Sequence, residues 1–307
     1  MNPKHLREDR NCLNCGKTVE VRYCTYCGQE NTKTEQAFYF AFLSYFQNKA
    51  KYDKSLISSI KILISRPGFL SSEFLKGKRA THIEPVRFYI AISFLVFFLT
   101  SILFGFHQKQ SFRFYYEPDD DVISLTEESI AKMDQKALYE HPNIYFLYHP
   151  FYEKLKSLKK SGWSDEQISE KLISKFVINI PTALFLYLPI FTLSLWIAYH
   201  RKPWTYYRHS IFSIHFFTLL VIAFFVWYVL ETTQILMGTD LISKIVDILQ
   251  NGIILFCLYY FIRASFKFYK SNIALTLFKS IFLLIINISF FGCLLAAILY
   301  YTFVTID

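Results

Sequence analysis

Residues 86–106 read VRFYIAISFLVFFLTSILFGF. A helix through the bilayer core needs about 20 mostly apolar residues, and this run supplies them with one charge, Arg87, at its very start. Four more segments have the same character: Phe176 to Tyr199, Ile211 to Leu230, Leu241 to Ile262, and Ser280 to Val304. The fourth of the five is the least uniform, because Asp247, Gln250 and Asn251 interrupt its first half. The chain of 307 residues is 53% apolar, with 33 Phe and 22 Tyr against 9 Gly and a mean hydropathy of +0.27. That balance excludes a disordered, collagenous or linker-like chain, and unbroken apolar runs of this length exclude an ordinary soluble enzyme. The predicted fold class is an all-α membrane protein of about five transmembrane helices, with a small N-terminal head and an interfacial helix.

Charge orients the bundle. Residues 1–85 hold 14 Lys+Arg against 8 Asp+Glu; the loop 200–210 holds Arg201, Lys202 and Arg208 with no acid; and 263–279 holds four bases with no acid. The long loop 107–175 holds 10 bases and 12 acids. By the positive-inside rule the first three lie in the cytoplasm and the long loop lies outside. The expected topology is N-terminus cytoplasmic and C-terminus outside, and the formal net charge of +9 becomes a topology signal more than a nucleic-acid signal. Residues 1–11 are polar and lack the apolar region of a secretory signal, as a cytoplasmic N-terminus requires.

Four of the six cysteines sit close together near the N-terminus as Cys12-x-x-Cys15 and Cys24-x-x-Cys27, while Cys257 and Cys293 stand singly in apolar runs. Paired Cys-x-x-Cys knuckles in a reducing compartment read as one structural metal site rather than two disulfides. Four thiolates complete a zinc ion's tetrahedron and leave no open position for catalysis. Gly16 and Gly28 follow each second cysteine, where the chain turns sharply. Thr18, Val19, Val21 and Tyr23 between the knuckles favour a short β-hairpin. With Lys17 and Arg22 as the only bases between the cysteines, no specific nucleic-acid partner is expected. A cytoplasmic protein partner and membrane lipids are.

The expected organisation is a zinc ribbon over 1–31, a cytoplasmic linker and amphipathic helix over 32–85, and a transmembrane bundle over 86–307 with the outer loop at 107–175. Within the linker, Leu56, Ile60, Leu63 and Ile64 recur at helical spacing until Arg66-Pro67-Gly68 ends the helix. Too short to span, it either lies in the inner interface or packs beneath the bundle. Lys76, Lys78 and Arg79 precede the first span as a topogenic cluster or a contact for lipid headgroups and phosphate. In the outer loop, 127–139 and 151–160 read as short helices, and Ser164-x-x-Gln167 as a capping box opening the helix into the second span. Asp119, Asp120 and Asp121 lack a calcium-loop pattern and read as a solvated turn.

Ionisable residues inside spans mark function, because their desolvation is costly. Here they are few. His209 and His215 on the third span lie six residues apart, which separates them by about 120° and about 9 Å on a regular helix. They therefore cannot chelate one ion from a single regular helix: a site needs ligands from another helix, and the favoured reading is hydrogen-bonded interfacial histidines, with a polar cavity lined by both as the transporter reading. No nucleophile–base order, phosphate-cradling glycine loop or His-Glu-x-x-His run is present, so the sequence favours a non-enzymatic protein. The alternative is a small transporter or lipid-handling protein using Lys76, Lys78, Arg79, His209 and His215.

Several of these pieces fall into one pattern. The head Cys12-x-x-Cys15-Gly16 … Tyr23-Cys24-x-x-Cys27-Gly28-Gln29, then Arg66-Pro67-Gly68, Gly77-Lys78-Arg79 with Pro85, and Tyr207-x-His209 … His215 resemble an uncharacterised bacterial family of multi-pass membrane proteins with an N-terminal zinc ribbon. The resemblance implies a bacterial inner-membrane location, bound zinc and an unknown activity.

Overall fold

A computed structural model describes residues 7–32, 55–115, 127–200, 204–237 and 239–306. Asp119, Asp120, Asp121, Arg201, Lys202 and residues 33–54 of the linker lie outside the described residues. The helices, in chain order, are α1 (Ser55–Ser65), α2 (Phe69–Leu75), α3 (Pro85–Tyr115), α4 (Glu127–Glu140), α5 (Tyr145–Lys160), α6 (Asp165–Ala198), α7 (Tyr206–Met237), α8 (Asp240–Tyr269) and α9 (Ile273–Val304). Among the described residues there is no strand. Among the described residues, four helical stretches are long and apolar enough to cross a membrane: Pro85–Leu103, Tyr206–Gln234, Asp240–Tyr269 and Ile273–Val304. The second predicted span is represented by the shorter apolar stretch Ala183–Ala198 of α6. These helices mark a membrane protein: on α9 only 11% of the apolar window is buried inside the protein, and the remainder needs an apolar solvent.

The chain forms two compact units, one from residues 1–105 and 188–287, the other from 106–187 and 288–307. In the first, α7 packs along α8 through Phe212, Phe216 and Phe261, all buried, with Phe191 of α6 set against Phe216 and Phe217. At one end of this core Tyr199 and Tyr269 stack 3.8 Å apart and nearly parallel. Lys279 of α9 lies over Tyr199 and donates to the Ala198 carbonyl at 2.7 Å, satisfying a carbonyl freed at the end of α6. Deeper along the same two helices, Asn287 donates to Ser194 Oγ at 2.9 Å, a polar contact that joins spans where hydrophobicity alone gives no preference.

Helix α1 packs against α7 and α2. Its Leu63 is 1% exposed, whereas Ile57 on the far side is 77% exposed. Helix α2 sits against both α7 and α8, with Phe74 and Leu75 packed on Tyr207 and Ile211. The chain reaches that position through Gly68, whose φ is 74° and whose missing Cβ would stand 2.9 Å from the Ala264 carbonyl oxygen. The Arg66-Pro67-Gly68 turn thus ends one helix and lets the next approach the α8 backbone.

In the second unit, α4 and α5 form a helical hairpin. Its core is Ile130, Leu155 and Leu158 with Ile168, Phe303 and Ile306. The capping box forms as the spacing predicts: Gln167 N–H donates to Ser164 Oγ, and the Gln167 side chain accepts from Ser164 N–H. Helix α5 begins at Tyr145 instead of Phe151, because a short 3-10 turn at Pro142–Ile144 starts it ahead of Pro150.

Substituting Gly68 with Ala forces a left-handed backbone on a residue with a side chain and presses its methyl into Ala264. We expect a loss of about 1–3 kcal/mol, visible as a lower unfolding temperature of the detergent-solubilised protein, with Gly252→Ala, whose Cβ would meet nothing within 4 Å, as the silent control.

Candidate metal centre

The head is a 12-residue unit used twice. In the first, Cys12 N–H donates to the Lys17 carbonyl, Gly16 N–H to the Cys12 carbonyl, and Val19 N–H to the Arg10 carbonyl. In the second, Cys24 N–H donates to Gln29, Gly28 N–H to Cys24, and Asn31 N–H to Arg22. Gly16 and Gly28 share a φ of 73°. This corrects the expected hairpin: pairing does not run between the knuckles but across each of them, as the isolated bridges Asn11↔Thr18 and Tyr23↔Glu30. Each segment closes around its own Cys-x-x-Cys loop, and that closure turns both sulfurs of a pair toward the same point.

The four sulfurs lie within 4.8 Å of one another. Cys12 Sγ is 3.5 Å from Cys27 Sγ and Cys15 Sγ is 3.6 Å from Cys24 Sγ. A tetrahedral zinc–thiolate site with bonds of about 2.3 Å has sulfur–sulfur edges of about 3.8 Å, whereas a disulfide holds its sulfurs about 2.05 Å apart. The spacing therefore fits four ligands around one cation. Backbone amides of Cys27 and Tyr26 lower the Cys24 thiol to about 7, while burial raises the Cys27 thiol to about 12, so loading a cation displaces protons from the cluster.

Gln29, directly after the second knuckle, fastens the head to the turn after α2. Its side-chain N–H donates to the Gly77 carbonyl at 2.7 Å, and its carbonyl oxygen accepts from Arg79 N–H at 2.9 Å and Ala80 N–H at 3.1 Å. Thr81 adds a hydroxyl bond of 2.8 Å to Asn14. Thus the Cys-Gly-Gln of the head and the Gly-Lys-Arg ahead of the first span, separate in sequence, meet in space.

The basic cluster is internally engaged. Glu73, 6% exposed, accepts from Lys76 at 2.8 Å and Lys78 at 2.5 Å, and Arg79 lies over the Phe74 ring. The hydrogen bonds from Lys76 and Lys78 hold the Glu73 carboxyl below its ordinary range. Glu73 was not among the residues that sequence reasoning selected, and Gln29 entered only as the last residue of the head pattern, with no role. An acid three and five residues before two lysines was a readable sign of the first; a lone amide carries no comparable sign of a contact.

The two histidines have different partners. His209, fully buried, faces the Tyr269 hydroxyl at 2.8 Å. His215, 4% exposed, meets Ser71 Oγ and the Ile211 carbonyl at 3.0 Å each through the same nitrogen, Nδ1. One ring nitrogen is thus shared between a hydroxyl of α2 and a carbonyl of its own helix. His209 thus joins α7 to α8, and His215 joins α7 to α2.

A multi-span membrane protein with a four-cysteine head is the class that the fold and this centre define. Residues 53–97, which cover α1, α2, the clasped turn and the start of α3, match a family described as a protein of unknown function, DUF3667. No curated protein and no solved structure matches the chain.

The Glu73 arrangement has a pH signature. Its native pKa is depressed, so its contribution to stability is complete above the unfolded carboxylate value of about 4.3 and is lost as pH falls through the lower native value. Thermal unfolding measured from pH 6 down to pH 3 should fall more steeply for the natural protein than for Glu73→Gln, which lacks the titrating group. Parallel curves would refute the assignment.

Proposed function

We propose that the chain is a five-span membrane protein of the bacterial inner membrane whose cytoplasmic head binds one structural zinc ion and clasps the turn leading into the first span. The head stabilises that inner end and offers a surface to a protein partner; catalysis is not its role. The single observation that carries this reading is the Gln29 amide, which joins the four-cysteine centre to residues 77–80 by three hydrogen bonds. Zinc is favoured among cations because four thiolates from two knuckles make a closed tetrahedral set, and a segment this small folds around its ion. The N-terminus-in orientation rests on the basic surplus of residues 1–85. A transporter or lipid-handling role receives less support: Lys76 and Lys78 are engaged by Glu73, and His209 and His215 have separate partners.

Purified full-length protein should carry zinc at the head, and Cys12→Ser or Cys24→Ser should remove that equivalent and open residues 7–32 to protease. Gln29→Ala should keep the zinc while raising cleavage in the 77–82 turn. Cysteine variants that retain a full zinc content, or a Gln29→Ala protein indistinguishable from the natural one in proteolysis, would overturn the proposal.

A further inference from the structure

The helical hairpin of the second unit carries chemistry that the head does not explain. His149 and Glu153 stand four residues apart on α5, a spacing that leaves side chains about 40° apart on one helical face and about 6 Å apart along it. Asp134 comes from the facing helix α4. One ligand atom from each of the three lies within 4.8 Å of the others, and His149 Nδ1 is 3.7 Å from Asp134 Oδ2. Tyr145, one turn before His149, ties the helices together: its hydroxyl donates to Asp134 Oδ1 at 2.9 Å and lies 2.9 Å from His149 Nδ1.

The charge around this group is unbalanced. Lys132 pairs with Glu128 at 2.8 Å and Lys136 reaches Glu140 at 3.8 Å, so the lysines of α4 turn to other acids. Among the described residues no lysine or arginine pairs with Asp134 or Glu153. Two carboxylates therefore face a histidine and a tyrosine, with no fixed cation between them.

We propose that Asp134, His149 and Glu153 form a second cation site, for a divalent transition-metal ion of the zinc type. The imidazole separates this ligand set from the all-oxygen shells of magnesium and calcium, and the lack of thiolate separates it from sites for soft copper(I). Two helices supply three ligands, which close the hairpin while leaving a coordination position open to water or an external ligand. The i, i+4 pair on α5 gives the chelate, Asp134 gives the inter-helix bond, and Tyr145 positions two of the three ligands.

The test uses full-length protein in detergent, stripped with chelator, reloaded with zinc, and analysed by metal content and calorimetric titration. The natural protein should take up two equivalents, and His149→Ala and Asp134→Asn should take up one. Glu153→Gln, an isosteric change at an exposed position that leaves helical circular dichroism unaltered, should weaken the second equivalent by at least about 10-fold. Cys24→Ser should lose the other equivalent and keep this one. Undiminished zinc in both His149→Ala and Glu153→Gln, or displacement of the second equivalent by magnesium at equal concentration, would overturn the site. Failure of the head is read separately, as a Cys24→Ser protein that still holds two equivalents.

Discussion

The seat of α2 against α7 and α8 is the constraint from which the first unit's arrangement follows. A helix of seven residues has too few internal hydrogen bonds to persist alone, so it depends on what it touches. Gly68 gives up its side chain so that the chain can pass within contact distance of Ala264. Ser71 meets His215, Phe74 meets Tyr207 and Ile211, and Glu73 holds the lysines that follow. Two described pieces upstream are then fixed to this point: α1 by the turn, and the head by the strip of backbone just past Glu73. The residues that match the unknown-function family, 53–97, include the α2 side of this seat, while Tyr207, Ile211, His215 and Ala264, which receive it, lie outside the match.

Polar atoms in the bundle are consistent with that architecture. In a membrane each buried donor or acceptor needs a partner within the protein, and several here are assigned to joining helices. Asn287 with Ser194 links α9 to α6, His209 with Tyr269 links α7 to α8, and His215 with Ser71 links α7 to α2. Side chains that in isolation suggest a transport path are used one at a time, in pairs that each close a helix contact.

How much of this was readable beforehand depended on the range of the signal. The apolar runs of α3, α7 and α9 declare themselves within a single window, as do the two Cys-x-x-Cys knuckles and the Ser164–Gln167 capping box. The seat of α2 does not, because Ser71 and His215 are 144 residues apart and a seven-residue helix containing a glutamate has no periodicity to detect. The expected hairpin failed for a local reason: β-favouring residues between the knuckles were read as pairing with each other, while the 12-residue repeat in the backbone bonds had each closing its own loop. Asp134, His149 and Glu153 were half legible, through the i, i+4 spacing of the last two. Their third member comes from another helix, and only the hairpin brings it near.

The attachment of the head has a consequence for populations. It consists of four neutral hydrogen bonds, three through Gln29 and one between Thr81 and Asn14. At about 0.5–1 kcal/mol net for each partly exposed bond, the attachment is worth about 2–4 kcal/mol, which leaves the head detached in roughly one molecule in 30 to one in 1,000. Each knuckle is closed by its own backbone bonds, independent of that attachment. The head and the turn it covers therefore part as intact surfaces, and for that brief interval the Gly77 carbonyl and the backbone amides of residues 79 and 80 are uncovered by Gln29 at the foot of the first span.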